Sequence, residues 1–191
     1  MSDARFARAL AGPLQLQSAD YILRPLARAD ADELFVQLSD PAVVEFMDVG
    51  VHTSLDDTLA VVGWTQSILA AGTGVRWAIR AREGGALVGT VGFNALVWER
   101  GRRGEIGYDV GRPYWGRRAM DQVLPLVLAF GFETMGLRRI EALVAAGNEP
   151  SCRLLERHGF EREGQLRDHA FWKGRFWDQI VYARLGEPSE T

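Results

Sequence analysis

Apolar residues along this chain change their spacing several times, and each change marks an element. Tyr21-Ile22-Leu23-Arg24-Pro25-Leu26 reads as a strand that ends near Pro25, since proline brings no N–H to a sheet ladder. Leu34 and Leu38 then recur four apart behind an acidic first turn, which predicts a short helix capped by Asp30 and closed by Asp40-Pro41. Ser54-Leu55-Asp56-Asp57 has the form of a capping box with Asp in place of Glu. It heads a second helix carrying Leu59, Val62, Trp64, Ile68 and Leu69, which Gly72 and Gly74 stop. From 75 the period drops to two: 75–80, 87–93 and 105–110 read as strands, joined by the hairpin signal Glu83-Gly84-Gly85 and a loop at 99–103. Such a meander is antiparallel.

Helical spacing returns after Gly116 with Ala119, Val123, Val127 and Phe130. Pro125 predicts a kink or a local loosening inside that helix, and Gly136 ends it. A strand follows at 139–144. Asn148 is placed to cap a helix over 148–158 with Pro150 in its first turn, and Gly159 suits a left-handed C-terminal cap with Phe160 folding back on Leu154 or Leu155. Two last strands, 164–172 and 177–185, flank the turn Lys173-Gly174-Arg175. Residues 1–20 read as a weakly patterned arm and 186–191 as a disordered tail, leaving 21–185 as one domain without repeats or a linker.

Composition narrows the function. A chain of 191 residues holds one sizeable core. A net charge of −3 argues against broad electrostatic binding of nucleic acid, and the arginine clusters at 100–103 and 112–118 are short and lack a reading motif. The apolar stretch 123–132 is about half of what a membrane span needs. No apolar segment follows Arg5 and Arg8, so a cytoplasmic protein without a membrane partner is the expectation. Cys152 is the only cysteine, and the three histidines, 52, 158 and 169, lie far apart, so no metal site is expected.

The chemistry concentrates where the third meander strand runs into the long helix: Tyr108-Asp109-Val110-Gly111-Arg112-Pro113-Tyr114-Trp115-Gly116-Arg117-Arg118-Ala119-Met120. A helix start presents free N–H groups and partial positive charge, and Arg112, Arg117 and Arg118 add formal charge, so the natural guest is a pyrophosphate. The bland alternative is an ordinary helix start with solvated arginines.

An ordered series of motifs strengthens the first reading. Leu23-Arg24-Pro25-Leu26, Gly89 with Gly92, Glu105-Ile106-Gly107-Tyr108, Tyr114-Trp115-Gly116-Arg117 and Gly136-Leu137-Arg138-Arg139-Ile140-Glu141 come in that order. Asn148-Glu149-Pro150-Ser151, Gly159-Phe160, Glu163-Gly164 and Gly174 with Asp178 complete it. Over 20–185 this series resembles the GCN5-related N-acetyltransferase (GNAT) superfamily, and within it the branch of ribosomal-protein N-terminal acetyltransferases (the RimJ/RimL type). The resemblance implies an α/β fold of the α+β kind: a mixed, mostly antiparallel twisted sheet flanked by about four helices. That sheet would be splayed between its fourth and fifth strands, here 104–110 and 139–145. Acetyl-CoA, as co-substrate, would enter the gap, its pantetheine arm pairing with backbone at Asp109 and Val110. Its pyrophosphate would sit on the N–H groups of Trp115, Gly116, Arg117, Arg118, Ala119 and Met120. The family loop usually reads Gln/Arg-x-x-Gly-x-Gly/Ala. Arg118 stands at its central glycine, where it either crowds a phosphate or swings out and supplies charge.

Direct acetyl transfer needs a sink for the amine proton, a donor to the oxyanion and a proton for the departing thiolate. The resemblance places Ser151 near the CoA sulfur and the oxyanion donor at a backbone N–H near Val110. Ser151 has a competing role, satisfying first-turn N–H groups of its helix; Asn148 contacts the pantetheine arm or simply caps that helix. Glu105 is the leading general base, against a salt bridge to a neighbouring arginine. Asp168 and His169 are rivals, although relatives that carry a carboxylate just beyond them have it where this chain has Ala170. Cys152 reads as buried packing. The tryptophans read mostly as core, while Trp98 and Trp172 are candidates for the wall of the acceptor cleft. Phe171, Trp172, Phe176 and Trp177 form an aromatic patch that suits a substrate wall or a homodimer surface equally. The expected partner is a primary amine, either a small molecule or a protein N-terminus. The alternative function is a non-catalytic acyl-CoA sensor on the same fold.

Overall fold

The computed structural model describes residues 4–99 and 101–186. One eight-stranded sheet, in the order β1-β2-β3-β4-β5-β6-β8-β7, runs through the molecule. Its strands are β1 (Leu16–Gln17), β2 (Tyr21–Pro25), β3 (Val75–Ala81), β4 (Leu87–Val97), β5 (Arg103–Val110), β6 (Arg139–Ala145), β7 (Glu161–Trp172) and β8 (Arg175–Leu185). All neighbours pair antiparallel except β5 and β6, which are parallel. The mixed, mostly antiparallel sheet is the expected one. Six α-helices flank it among the described residues, against about four expected: α1 (Ala4–Ala11), α2 (Ala31–Leu38), α3 (Pro41–Val44), α4 (Leu55–Ala70), α5 (Ala119–Ala129) and α6 (Glu149–Arg157).

Strand alternation divides the apolar residues between two faces. Val75, Trp77 and Ile79 of β3 join Phe93, Ile106, Val123, Val127, Ile140 and Leu155 in the larger core. Ala78 turns the other way, into a smaller core with Leu34, Leu38, Val44 and Val62 of α2 to α4. Trp77 is fully buried, edge-on to Phe93 and Phe130, and its indole N–H donates to the Leu14 carbonyl at 2.6 Å. Each buried aromatic of this size contributes about 2–3 kcal/mol of transfer free energy, so this cluster anchors the sheet against α5.

Two departures bear on the ends. The expected unpatterned arm carries α1, docked by Phe6 and Ala9 in the core and by an Arg5 Nε bond to the Thr134 carbonyl. Residues 187–191 of the expected tail lie outside the described residues, and Gly186 is held by the Arg138 carbonyl at 3.0 Å. The capping box at Ser54 and Asp57 forms as expected. The expected Asp30 cap does not. Its carboxylate instead accepts from Arg24 at 2.6 and 2.8 Å, from Arg80 at 3.1 Å and from the Ala27 N–H. The loosening expected at Pro125 appears one turn later, where Phe130–Met135 winds as a π-helix before Gly136 closes it with φ of 80°.

Candidate active site

Pairing between β5 and β6 stops at Glu105 opposite Glu141, although β5 continues to Val110 and β6 to Ala145. The strands diverge from there and leave a wedge. It is a cavity of about 660 Å³, lined by Ile106–Val110, Ala142–Ala145, the turn into α5, the start of α6 and residues 45–47. That is the size of a small-molecule site. The expected splay is thus present, between strands numbered β5 and β6 because the short β1 precedes them.

On the β5 wall the side chains alternate. Tyr108 and Val110 lean toward the larger core, while Asp109 turns to the opposite face. There its buried carboxylate accepts from Arg76 Nη2 at 2.7 Å, from the Gln37 amide and from the Thr90 hydroxyl. Arg76 completes the network through Asn94 and Thr90, each at 2.8 Å. Asp109 therefore offers a ligand no side chain. The Gly111 N–H donates to Val88 of β4, so alternation turns the backbone of Val110 toward the gap, where its carbonyl accepts from Trp115 Nε1 at 2.7 Å. Gly89 lets β4 lie close at this level. A Cβ there would stand 2.1 Å from the Asp109 carbonyl oxygen.

The turn into α5 has two left-handed residues, Gly116 with φ of 72° and Arg118 with φ of 58°. Arg118 thus adopts the backbone of the glycine it stands for, and its side chain swings outward to Asp121 at 2.8 Å. Ala119 and Met120 open α5 with first-turn N–H groups that have no helical partner, beside the cavity. Arg112 reaches Asp40 at 3.6 Å, and Arg117 lies over the Tyr114 ring at 5.7 Å. A left-handed conformation costs a non-glycine residue about 1 kcal/mol, and an exposed ion pair returns less. Arg118→Gly is therefore expected to raise the melting temperature by a few degrees, read by thermal denaturation.

Asp121, in the first turn of α5, accepts from Arg118 Nε at 2.8 Å and from Arg157 Nη2 and His158 Nε2, both at 3.1 Å. Burial opposes its charge, and the three hydrogen bonds outweigh that, holding the carboxyl down to about 2.

Across the wedge, Asn148 caps α6 by accepting from the Ser151 N–H at 3.3 Å. This leaves the Ser151 hydroxyl free for another partner, the Tyr108 hydroxyl at 2.7 Å. The competing role of Ser151, satisfying first-turn donors, thus falls to Asn148. Tyr108 carried no role in the sequence reading. Burial pushes its phenol upward against a smaller pull from Ser151, so it stays an O–H donor.

Glu105 shares the Asp109 face of β5. Its neighbour Glu141 is paired with Arg139 at 2.8 Å and Arg103 at 3.6 Å, whereas Glu105 has no ion pair among the described residues. Among the described residues, the salt bridge weighed against its role as base does not form. Burial pushes its carboxyl above the ordinary range; Glu141 and Asp48 push the same way, and His169 and Arg103 oppose them. Asp168 sits exposed in a bulge of β7 with φ of 48°. Cys152 is buried among core residues.

The tryptophans divide. Trp98 is not a cleft wall: it packs on Phe6 of α1 at 5.2 Å. Trp64 and Trp115 are 42% and 49% exposed, contrary to a core role. Trp172 stacks on Trp177 at 5.1 Å, and Trp177 meets Phe46 of the wedge edge-on. Lys173 Nζ ties this hairpin to the carbonyls of Val44 and Glu45, the latter at 3.2 Å. Phe171 and Phe176, 62% and 61% exposed, form the tip.

Known proteins resemble this chain in sequence and in fold. The acetyltransferase (GNAT) domain family matches residues 20–161. The uncharacterized N-acetyltransferase YoaA of Bacillus subtilis (strain 168) is 33% identical over 168 residues, 88% of this chain and 94% of that protein. The ribosomal protein uS5-alanine N-acetyltransferase of Escherichia coli (strain K12) is 28% identical over 97 residues, 51% of this chain and 50% of its own. The structure of Mycobacterium smegmatis RimJ in complex with CoA-disulfide superposes with a TM-score of 0.79 at 23% identity, covering 90% of this chain and 84% of that one, and shares the fold.

Proposed function

The chain belongs to the acetyltransferase (GNAT) family and is an N-acetyltransferase; we propose that its wedge holds acetyl-CoA and delivers the acetyl group to a primary amine entering from the Glu105 side. The observation that carries this is the place where β5 and β6 part. There a lone, upward-shifted carboxylate and a hydroxyl pair stand three residues apart along one strand, on opposite faces. Glu105 takes the amine proton, directly or through water. A backbone N–H near Val110 donates to the developing oxyanion. Ser151, backed by Tyr108, gives a proton to the departing thiolate. The pantetheine arm lies along the gap-facing backbone of Val110, and the pyrophosphate on the N–H groups of Gly116, Arg118, Ala119 and Met120, since those of Trp115 and Arg117 donate to the carbonyls of Arg112 and Tyr114.

On the acceptor side, Glu45 and Asp48 add negative charge, which suits a cationic amine. Among the amines we favour a protein N-terminus, the acceptor class that the uS5-alanine enzyme's name carries. Among the described residues no helix is long and apolar enough to cross a membrane.

The test is free-thiol release from acetyl-CoA with a panel of N-terminal peptides, polyamines and amino acids, beside calorimetric titration of CoA. The expected result is CoA binding, with release stimulated by one amine class and matched by acetylated product. CoA binding without stimulation by any amine would favour the acyl-CoA sensor, and absence of CoA binding would overturn the reading.

A further inference from the structure

Asp121 stands where an anionic ligand would be expected to find only positive charge. It is the third residue of α5, within the turn whose free N–H groups and dipole favour one anion. With Arg118 and Arg157 it lines the same cavity as Gly116, Ala119 and Met120. Its two oxygens engage both of those arginines and His158, at 2.8 to 3.1 Å. Its side chain is 19% exposed while that of Arg118 is 77% exposed, so the arginine can leave the pair more readily than the carboxylate can leave the site. The two remaining arginines of the turn are also engaged, Arg112 with Asp40 and Arg117 over Tyr114.

We propose that Asp121 is an internal rival of the cofactor's phosphates, occupying the cations of the wedge and lowering affinity for CoA so that product leaves readily. When a pyrophosphate arrives at the start of α5, Arg118 turns from Asp121 to it, and the carboxylate stays as a fixed negative charge within a Debye length. Both effects cost the phosphate end of the ligand and leave its pantetheine end untouched. The inference rests on the acetyl-CoA reading of the wedge.

Calorimetric titration of CoA and of pantetheine, which lacks the phosphates, into wild type and Asp121→Asn separates the possibilities. The expected result is a CoA Kd about 10-fold tighter in the variant, equal to about 1.4 kcal/mol. A steeper fall of CoA affinity with salt and an unchanged pantetheine affinity should accompany it. Asp121→Ser, which keeps a short hydrogen-bonding group in the first turn, is measured in parallel, and far-ultraviolet circular dichroism identifies the folded variants. If wild type binds CoA and the folded variants bind it equally or more weakly, the role of Asp121 is overturned while the acetyltransferase reading stands. Equal tightening for pantetheine would overturn it too, since the effect would not act through phosphate. If wild type binds no CoA, both fall together.

Discussion

Glu105→Gln is expected to lower kcat by about 10²–10⁴-fold, the range in which a positioned proton acceptor contributes, while leaving the Kd for CoA within about twofold. The expectation comes from an asymmetry between neighbours. Glu105 and Glu141 face each other across the last paired position of two parallel strands. Arg139 and Arg103 neutralise Glu141, and no ion pair among the described residues neutralises Glu105. An unpaired carboxylate of raised basicity where the two strands begin to part accepts a proton more readily than an ordinary surface glutamate. The rate of the wild type should rise with pH on a limb that contains the Glu105 ionisation, and that limb should vanish in the variant, leaving only the ionisation of the amine.

The same shift fixes a sign for stability. The folded state holds the Glu105 proton more tightly than the unfolded chain does, so unfolding releases that proton. Stability from this group is therefore full below the ordinary glutamate range and falls as pH rises from that range through the raised value. Glutamine removes the penalty, so Glu105→Gln should be as stable as wild type or more stable at neutral pH, with the advantage vanishing in acid. Loss of turnover together with retained or increased melting temperature marks Glu105 as a group held at a stability cost for chemistry. Loss of both would mean that the carboxylate is structural.

How far the chain could be read in advance depended on whether a feature was local. The meander, the capping box at Ser54, the Asn148 cap and the Gly159 turn follow from neighbours within a few residues, and all are present. α1 was missed although Phe6, Ala9 and Leu10 have helical spacing; no acidic first turn accompanies them. Asp30 was misread because its partners come from the strands: Arg24, and Arg80 fifty residues on. Trp98 was misplaced because nothing nearby tells that α1 covers it. In the site, the turn before α5 and Arg118 at its glycine position could be picked out from local sequence, while Asp121, three residues on, drew no reading. Its partners Arg157 and His158 arrive from the end of α6, thirty-six and thirty-seven positions on. Tyr108 was visible as a strand residue, yet its contact with Ser151 spans 43 positions and leaves no trace in spacing.

That contact leads to the second large effect. Ser151→Ala is expected to lower kcat by about 10²-fold, the lower end for acid catalysis, because a thiolate is a better leaving group than most and needs less help. The helix should survive, since Asn148 Oδ1 accepts from the backbone N–H of residue 151 whatever its side chain. Tyr108→Phe keeps the ring in place and removes only the hydroxyl that backs Ser151. With the serine still able to reach the sulfur, its loss should be about 10-fold, consistent with one hydrogen bond of about 1–1.5 kcal/mol. If the two hydroxyls act in series, the double variant should be no slower than Ser151→Ala alone. Independent roles would instead multiply the two losses. Steady-state kcat at saturating acetyl-CoA, for the four proteins of this cycle, decides between them. A Ser151→Ala variant that keeps wild-type turnover would remove the serine from the chemistry and leave the thiolate to be protonated by water.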